Sequence, residues 1–309
     1  MLRFARALAA LLAVLSVAPV AAAPALWRFG DEDTTIYLFG TIHALPARYS
    51  WQDDRTRKAM KAADTLVVET LVDEDPQSIA QMFPPPDPNL PPVVERLPAR
   101  SRAAYEALIA KAKISAAALD RMPSWQVAFV LMGAVMKDLG IARDSGVEEN
   151  IIPAFRPAVS NAAPKPSPRK IEALETASSQ LALFANLSEA DQRELLTSMI
   201  DGRGNAKDDY AEMLSAWDKG DQIAIAKLFD EDKDLTPRLR EILLRKRNAA
   251  WTQWLKARLA VPGTVFVAVG AGHLAGPLSV RAMLEAQGIK IKRVWIDDID
   301  EAAAAKAPR

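Results

Sequence analysis

The chain has 309 residues, no cysteine, and 39 Lys and Arg residues against 39 Asp and Glu. The net charge of zero excludes a nucleic-acid binder that works through a general basic field, since that requires clustered surplus Lys and Arg. The absence of Cys excludes disulfides and thiolate chemistry. Half of the residues are hydrophobic and a quarter charged, which is typical of a globular protein and excludes a disordered or collagen-like chain.

The N-terminus has the pattern of a secretory signal peptide. Arg3 and Arg6 are followed by an apolar stretch over 7–20 and by Ala21-Ala22-Ala23-Pro24, which match the positive start, apolar middle and small-residue cleavage zone of such peptides. About 14 apolar residues are too few to cross a bilayer, which takes roughly 20. We therefore predict a signal peptide over 1–23 and an exported protein, periplasmic in a Gram-negative host or otherwise secreted.

Cleavage leaves a nearly neutral mature chain. It removes two arginines, so that 37 basic residues face 39 acidic ones, a net charge of −2. No second stretch of about 20 apolar residues follows, and no Cys is present to carry a lipid anchor. We expect no stable membrane span after cleavage.

The first third of the mature chain is predicted to be β-β-α-β followed by a loop. Residues 26–45 contain two runs rich in aromatic and β-branched residues around a Gly/Asp turn, which predicts a hairpin. A helix is expected over 54–63 and a third strand over 66–68. A group of closely spaced prolines excludes both helix and interior strand, and so predicts a loop. These are Pro84, Pro85, Pro86, Pro88, Pro91 and Pro92.

The middle of the chain is predicted to be helical and its end to return to strands. Apolar residues three and four apart predict helices over 122–139, 170–187, 188–200 and 237–259. Five prolines over 153–168 predict a loop. The apolar run 264–269 predicts a strand buried on both faces, and a helix over 276–287 leads to a strand over 291–296. Such a strand-helix-strand unit predicts a parallel pair.

Together these elements predict an α/β (α+β) fold with a central mixed sheet built from N-terminal and C-terminal strands. We expect one domain over 24–309. Its sheet core comprises 24–75 and 261–300, and a large helical insertion occupies about 99–260.

Both histidines of the chain follow a glycine at the end of a predicted strand. His43 ends Gly40-Thr41-Ile42-His43, and His273 ends Gly270-Ala271-Gly272-His273. A glycine there lets the backbone turn sharply or approach a ligand closely. If the two strands are parallel neighbours, both imidazoles converge at the carboxyl ends of the strands, where sites of open α/β sheets form.

Glu69 is the best partner for these histidines, because it follows the apolar run 66–68 at the exit of the third strand. Two imidazoles and a carboxylate make a three-ligand metal site. The alternative is that His43 and His273 are loop residues bonded to backbone carbonyls and that Glu69 is solvated. The coincidence of all three favours the metal site.

Several other residues have weaker signals. Arg247 lies near the apolar stripe of a helix, so it is either buried with an anionic partner or extends its head into water. Arg247 and Asn248 are candidates to hold a substrate carbonyl or to orient Glu69. Glu175 is predicted to lie early in a helix, where it favours the dipole, and Glu148 is expected on a solvated face.

The chain closely resembles the TraB/GumN family, which includes the TIKI metalloproteases. The resemblance rests on residues 37–43, on Val67-Val68-Glu69-Thr70 and on residues 269–276, with further matches at Arg247-Asn248 and at Leu174-Glu175-Thr176 before Gln180-Leu181. One departure is Gly146-Val147-Glu148, where the family usually has Gly-Val-Asp. This change affects the expected shape of the substrate groove more than the metal ligands.

The resemblance implies a core related to the erythromycin-esterase and haem-binding ChaN-like fold, with His43, Glu69 and His273 at a divalent metal. In the TIKI branch the metal is manganese- or cobalt-like and the reaction is peptide hydrolysis; zinc or iron are alternatives here. GumN-type relatives are associated with exopolysaccharide gene clusters, and TraB-type relatives with peptide pheromone shutdown.

Two functions follow as hypotheses. The first is a periplasmic metal-dependent hydrolase, most readily a peptidase acting on a peptide or protein, in which Glu69, Arg247 and Asn248 assist the chemistry. The second is a non-catalytic periplasmic protein, linked to polysaccharide export or signalling, that binds a peptide, haem or a metal in the same cleft. The sequence leaves the oligomeric state open.

Overall fold

The computed structural model describes residues 23–71, 76–142, 145–156, 169–202, 204–231 and 235–295. The predicted signal peptide lies outside these residues except for Ala23, and so do residues 157–168 of the predicted proline-rich loop. Within the described ranges, no helix is both long enough and apolar enough to cross a bilayer.

A six-stranded mixed sheet forms the centre of the molecule. Its strands lie in the order β6-β4-β7-β2-β1-β8. β6, β4, β7 and β2 are parallel to one another, whereas β1 is antiparallel to both of its neighbours. Two short strands, β3 and β5, pair separately. The strands are β1 (Leu26–Gly30), β2 (Thr34–Thr41), β3 (Leu45–Pro46), β4 (Thr65–Leu71), β5 (Ile141–Ala142), β6 (Lys170–Thr176), β7 (Gly263–Gly270) and β8 (Lys292–Arg293).

Helices cover both faces of this sheet and form a separate lobe. Those before β6 are α1 (Asp54–Ala62), α2 (Pro76–Gln81), α3 (Val93–Arg96), α4 (Ala99–Ala112), α5 (Ala116–Leu119), α6 (Ser124–Asp138) and α7 (Val147–Phe155). Those after it are α8 (Ala177–Ala185), α9 (Glu189–Gly202), α10 (Ala206–Asp218), α11 (Gln222–Glu231), α12 (Pro237–Arg240), α13 (Arg247–Arg258) and α14 (Val280–Glu285). A π-helix (Glu241–Lys246) joins α12 to α13, and a 3₁₀ turn (Ala271–Leu274) follows β7.

Alternate residues of the central strands pack into two different cores. In β7, Phe266 and Ala268 face a core with α1, α7, α10 and α11, whereas Val265, Val267 and Val269 face a core with α13 and α14. A strand buried on both faces needs a continuous apolar sequence, and this confirms the prediction for 264–269. A third core lies among the helices of the separate lobe, from α3 to α6 with α9.

The α/β class and the order of the N-terminal elements are confirmed. β1 and β2 form the predicted antiparallel hairpin, and α1 and β4 follow at the expected places. Residues 82–92 contain neither helix nor strand. Most importantly, β2 and β7 are parallel neighbours along their whole length, which is the condition under which the sequence predicted that the two histidines converge.

The predicted helix over 170–187 is wrong in its first half. Residues 170–176 form β6, which pairs with β4, and only 177–185 are helical. The hydrogen bonds to β4 override a local apolar spacing that also suits a helix. The helical region therefore contributes an edge strand to the sheet. Glu175 consequently lies at the end of a strand and not in a helix. Pro153, predicted in a loop, lies in the last turn of α7.

The predicted pairing of the last strand is also wrong. β8 comprises only Lys292 and Arg293 and pairs antiparallel with β1, at the far edge from β6. It runs in the same direction as β7 but cannot pair with it, because β2 and β4 occupy both sides of β7. Helix α14 is shorter than expected and begins after Ser279, whose side chain accepts a hydrogen bond from the Ala282 N–H.

Candidate functional site

Four parallel strands end together at one rim of the sheet. Thr41, the last residue of β2, pairs with Gly270, the last residue of β7. His43 and His273 follow these ends directly, and β4, which carries Glu69, lies on the other side of β7. This rim is the position at which open α/β sheets bind ligands. The fold therefore brings the two histidines and Glu69 to one place.

His273 is buried, and its neighbours fix its tautomer. Its Nδ1 lies 2.6 Å from Oδ1 of Asn248, while Nδ2 of Asn248 donates to the Leu278 carbonyl at 2.7 Å. Because the Asn248 nitrogen is used as a donor, its oxygen must accept, so Nδ1 of His273 carries the proton. The other ring nitrogen, Nε2, therefore presents a lone pair to the rim.

Glu69 accepts hydrogen bonds on both carboxylate oxygens. Oε1 accepts from the Gly270 N–H at 2.7 Å. Oε2 accepts from Nη2 of Arg247 at 2.7 Å and from Nε2 of Gln180, on α8, at 3.1 Å. Three donors on one buried carboxylate compensate for the loss of water around its charge.

The pKa values of these two buried groups are strongly shifted. Burial lowers the pKa of His273 to about 4, against the opposing charge of Glu69. Burial raises the pKa of Glu69, but His273, Arg247, His43 and the Gly270 N–H lower it, and the result is about 2. Near pH 7, His273 is neutral and Glu69 is ionised.

Arg247 is buried between two carboxylates. Its Nη2 donates to Glu69, and its Nε lies 3.0 Å from both oxygens of Glu175. Its Nη1 lies 3.0 Å from Nε2 of His273 and 3.2 Å from the Leu243 carbonyl in the π-helix. The sequence left open whether Arg247 is buried with an anionic partner or extends into water, and in the structure it is buried with two such partners. Four N–H groups of the guanidinium therefore already have acceptors.

Trp251 completes the buried side of the site. Its Nε1 donates to Glu175 at 2.9 Å, and its ring lies under the Arg247 guanidinium at 4.7 Å. Its ring centroid is 4.4 Å from that of His273. These contacts hold the arginine and the imidazole in one geometry.

His43 lies on the open side of the site. Its side chain is 62% exposed, its Nδ1 is 2.9 Å from Oε1 of Glu148, and its Nε2 is 4.0 Å from Oε1 of Glu69. Glu148 also accepts from the Thr41 hydroxyl, and its side chain is only 19% exposed, which corrects the expectation of a solvated face. Burial raises the pKa of Glu148, but its bonds to His43 and Thr41 lower it below its usual value.

The loop that carries His43 is tied down on both sides. The Ile42 carbonyl accepts from the Val147 N–H at 3.1 Å, next to Glu148. The Gly40 carbonyl accepts from Nε1 of Trp217 at 2.7 Å, and the Ala44 carbonyl from the Tyr210 hydroxyl at 3.0 Å. The exposed ring is thus carried by a fixed backbone.

Gly270 allows the close approach that the site needs, and Gly272 allows its own turn to pack on Phe229. A Cβ on Gly270 would lie 3.1 Å from Oε1 of Glu69 and 3.4 Å from Nε2 of His43. A Cβ on Gly272 would lie 2.3 Å from the Phe229 ring. A side chain at Gly270 would therefore fill the space between the carboxylate and the imidazole.

The donor set suits a divalent metal, although the donors are widely spaced. Nε2 of His273 lies 3.8 Å from Oε1 of Glu69, similar to the 4.0 Å from His43. Each Nδ1 is held by a side-chain oxygen, as is usual for metal-ligating histidines. Across the residues that the structure describes, no group of three or more His, Cys, Asp or Glu is close enough to form a ready metal site. The residue types of the cluster fit such an ion chemically.

The structure brings together all five residues that the sequence singled out: His43, Glu69, Arg247, Asn248 and His273. Three further residues contact the site: Gln180, Glu148 and Glu175. From the sequence, Gln180 had no assigned role, Glu148 was expected on a solvated face and Glu175 was expected in a helix. Gln180 and Glu175 were both among the family matches, and Glu148 was the noted departure from the family pattern. The resemblance thus indicated these positions, but the apolar spacing did not.

The fold and the rim define an α/β protein with a His–Glu–His cluster at the carboxyl ends of its parallel strands. The family model described as TraB/PrgY/gumN family matches residues 25–293, which is most of the chain. The chain belongs to this family.

Two relatives are similar over most of their length. Proteins named Uncharacterized protein YbaP, from Escherichia coli and from Shigella flexneri, are each 25% identical to the chain over 252 residues. The matched region covers 80% of this chain and 87% of each relative. No solved structure matches the chain.

Proposed function

We propose that the chain is an exported, divalent-metal-dependent hydrolase whose substrate is a peptide or protein. The observation that carries this proposal is the arrangement around Oε1 of Glu69. Two imidazole Nε2 atoms face this oxygen at 3.8 and 4.0 Å, and each imidazole has its Nδ1 against a side-chain oxygen. With the proton held on each Nδ1, both Nε2 lone pairs are directed toward the same carboxylate oxygen, as one shared ion would require.

His43, His273 and Glu69 would hold the ion. Manganese or cobalt is the first choice because the family resemblance implies it, and zinc or iron are alternatives. A divalent ion bound there would supply Lewis-acid polarisation of a carbonyl and a lowered pKa for water. A pKa of about 2 for Glu69 suits a permanently ionised ligand better than a general base.

The charges around the cluster support a divalent cation. Arg247 pairs with the carboxylates of Glu69 and Glu175, whereas the carboxylate of Glu148 contacts the His43 ring. Since His273 is neutral near pH 7, the three carboxylates and the guanidinium carry a net charge of −2. An excess of negative charge at a partly buried rim favours an ion of the opposite charge.

The remaining residues position these groups. Asn248 fixes the ring of His273, and Glu148 fixes that of His43. The predicted role of Arg247 and Asn248 in holding a substrate oxyanion stays a prediction. The exposed ring of His43 marks the side from which a polypeptide would reach the cluster. Export is proposed on the N-terminal pattern alone.

The replacement His43→Ala tests the proposal, with Ser50→Ala, an exposed change in the same segment, as the matched control. We expect a metal-loaded wild type that hydrolyses members of a peptide panel, and a variant that has lost both bound metal and turnover. Stability should change by no more than about 0.5 kcal/mol, because the ring is exposed. Elemental analysis, turnover and thermal melting measure the three quantities.

The outcomes separate the two hypotheses. Unchanged metal content and turnover in His43→Ala would refute the assigned site. Metal uptake through His43 without hydrolysis of any peptide would favour the non-catalytic binding protein, and an absorption band from added haem would identify a haem binder.

A further inference from the structure

Arg247 and the proposed metal compete for the same lone pair. The Asn248 contact puts the proton of His273 on Nδ1, so Nε2 has a single lone pair directed to the rim. Nη1 of Arg247 lies 3.0 Å from that nitrogen and is always a donor. A lone pair that accepts this N–H cannot also bind an ion. The two interactions are therefore mutually exclusive.

The rest of the Arg247 side chain does not stand in the way of an ion. Its Nη2 donates to Oε2 of Glu69, whereas the histidines face Oε1. Its Nε is held by Glu175. Only the contact between Nη1 and His273 would have to be given up when an ion binds.

The π-helix holds Nη1 independently of His273, because one of the two N–H groups on this nitrogen already donates to a carbonyl there. Nη1 already lies 3.2 Å from the Leu243 carbonyl, four residues before Arg247. π-helical segments often occur at functional sites, and the segment Glu241–Lys246 ends directly before Arg247. The guanidinium can therefore keep its Leu243, Glu69 and Glu175 bonds when it leaves His273.

We propose that Arg247 is the resident cation of the metal-free site, which holds Glu69 and His273 in place and lowers the affinity for the incoming metal. This inference rests on the proposed metal site and assigns Arg247 a positioning and regulatory role. The guanidinium takes the lone pair and part of the negative charge that an ion would otherwise use.

The test measures Mn²⁺ and Co²⁺ binding to wild type and Arg247→Met by isothermal titration, without any substrate. We expect the variant to bind the metal about tenfold or more tightly, the size typical of a coupling between two ligands. The matched control is Arg245→Met, which removes an exposed arginine paired with Glu241 one helical turn away. Its affinity should equal that of wild type.

A second variant keeps the test valid if Arg247→Met does not fold. Arg247→Met combined with Glu175→Gln removes a buried charge of each sign, and the Gln oxygen still accepts from Trp251. We expect this double variant to fold, as measured by circular dichroism, and to bind the metal more tightly than wild type, but by less than Arg247→Met because its site has the wild-type net charge.

A metal-free measurement tests the inference separately. The chain has only two histidines, so ¹⁵N spectra of labelled imidazoles are readily assigned. In Arg247→Met the His273 Nε2 signal should shift while Nδ1 stays protonated. Equal metal affinity in wild type and variant, or an unchanged Nε2 signal, would overturn the inference and leave the metal site standing. No binding of either ion to any protein would overturn the metal site itself.

Discussion

The two histidines of the site have opposite surroundings. The buried half, made of His273, Asn248, Glu69, Arg247 and Glu175, is a continuous network of hydrogen bonds packed on Trp251. The open half consists of His43, on the loop after β2, and Glu148, in the first turn of α7, which accepts from the Thr41 hydroxyl. The side chain of His43 is 62% exposed and that of His273 is 9% exposed.

This difference separates stability from ligand binding. Polar groups in the buried half have no water to replace a lost partner, so removing one leaves an uncompensated charge or donor. In the open half, water replaces a lost contact of the exposed His43 ring at little cost. Replacements in the buried half should therefore unfold the protein before they affect function, and replacements in the open half should affect function alone.

The largest effect is expected for Glu69→Ala. The change removes a buried carboxylate and leaves Arg247 with Glu175 as its sole carboxylate partner. Breaking such a pair costs about 3–5 kcal/mol in the free energy of unfolding, which urea denaturation measures. The control is Glu172→Ala, an exposed carboxylate on β6, where we expect a change within about 0.5 kcal/mol. A loss below about 1 kcal/mol at Glu69 would contradict the distinction between the two halves.

The fall in the free energy of unfolding at acidic pH should depend on His273 and not on His43. Unfolded His273 takes up a proton near its usual pKa of about 6.5, whereas burial lowers the folded pKa to about 4. The unfolded state thus binds more protons between these values, so stability is full above pH 6.5 and falls as the pH is lowered toward 4. The loss is on the order of 3 kcal/mol for 2.5 pH units.

Denaturation curves between pH 4 and 7 of wild type, His43→Ala and His273→Gln measure this contribution. We expect His43→Ala to keep the decline of wild type, since His273 is intact, and His273→Gln to have a flatter profile. Equal slopes in all three proteins would show that burial of His273 is not the cause.

The parts of the fold that could be predicted are those with a strong local pattern. The apolar run of β7 predicted a strand buried on both faces, because only such a strand has apolar residues on consecutive positions. The Gly-x-x-His segments at the ends of β2 and β7 then predicted that His43 and His273 meet at one rim, because parallel neighbours end at the same edge.

The parts that could not be predicted depend on contacts between distant segments. Residues 170–176 have a helical spacing, and only pairing with β4 makes them a strand. Glu148 lies in the first turn of a helix, where acidic residues are common. Its sequence neighbourhood therefore does not reveal that the fold places it beside His43. β8 pairs with β1 because β2 and β4 already occupy both sides of β7. No local sequence pattern indicates this arrangement.

The smallest effect on stability is expected for Glu148→Gln in the open half. The amide oxygen can still accept from His43 or Thr41, so the free energy of unfolding should change by no more than about 1 kcal/mol. The negative charge behind His43 is lost, and a partner of this kind typically contributes 10–100-fold to metal affinity. Since the neutral amide retains part of that effect, we expect Mn²⁺ affinity to fall by about tenfold, measured by isothermal titration.

Glu149→Gln is the matched control for this change, because the neighbouring side chain is exposed and the charge removed is the same. Its Mn²⁺ affinity should equal that of wild type if contact with His43 matters, and should fall equally if only the overall charge near the rim matters. A weaker affinity in Glu148→Gln alone would assign the effect to the hydrogen bond on Nδ1. A large loss of stability in Glu148→Gln would instead show that the open half is as tightly built as the buried one.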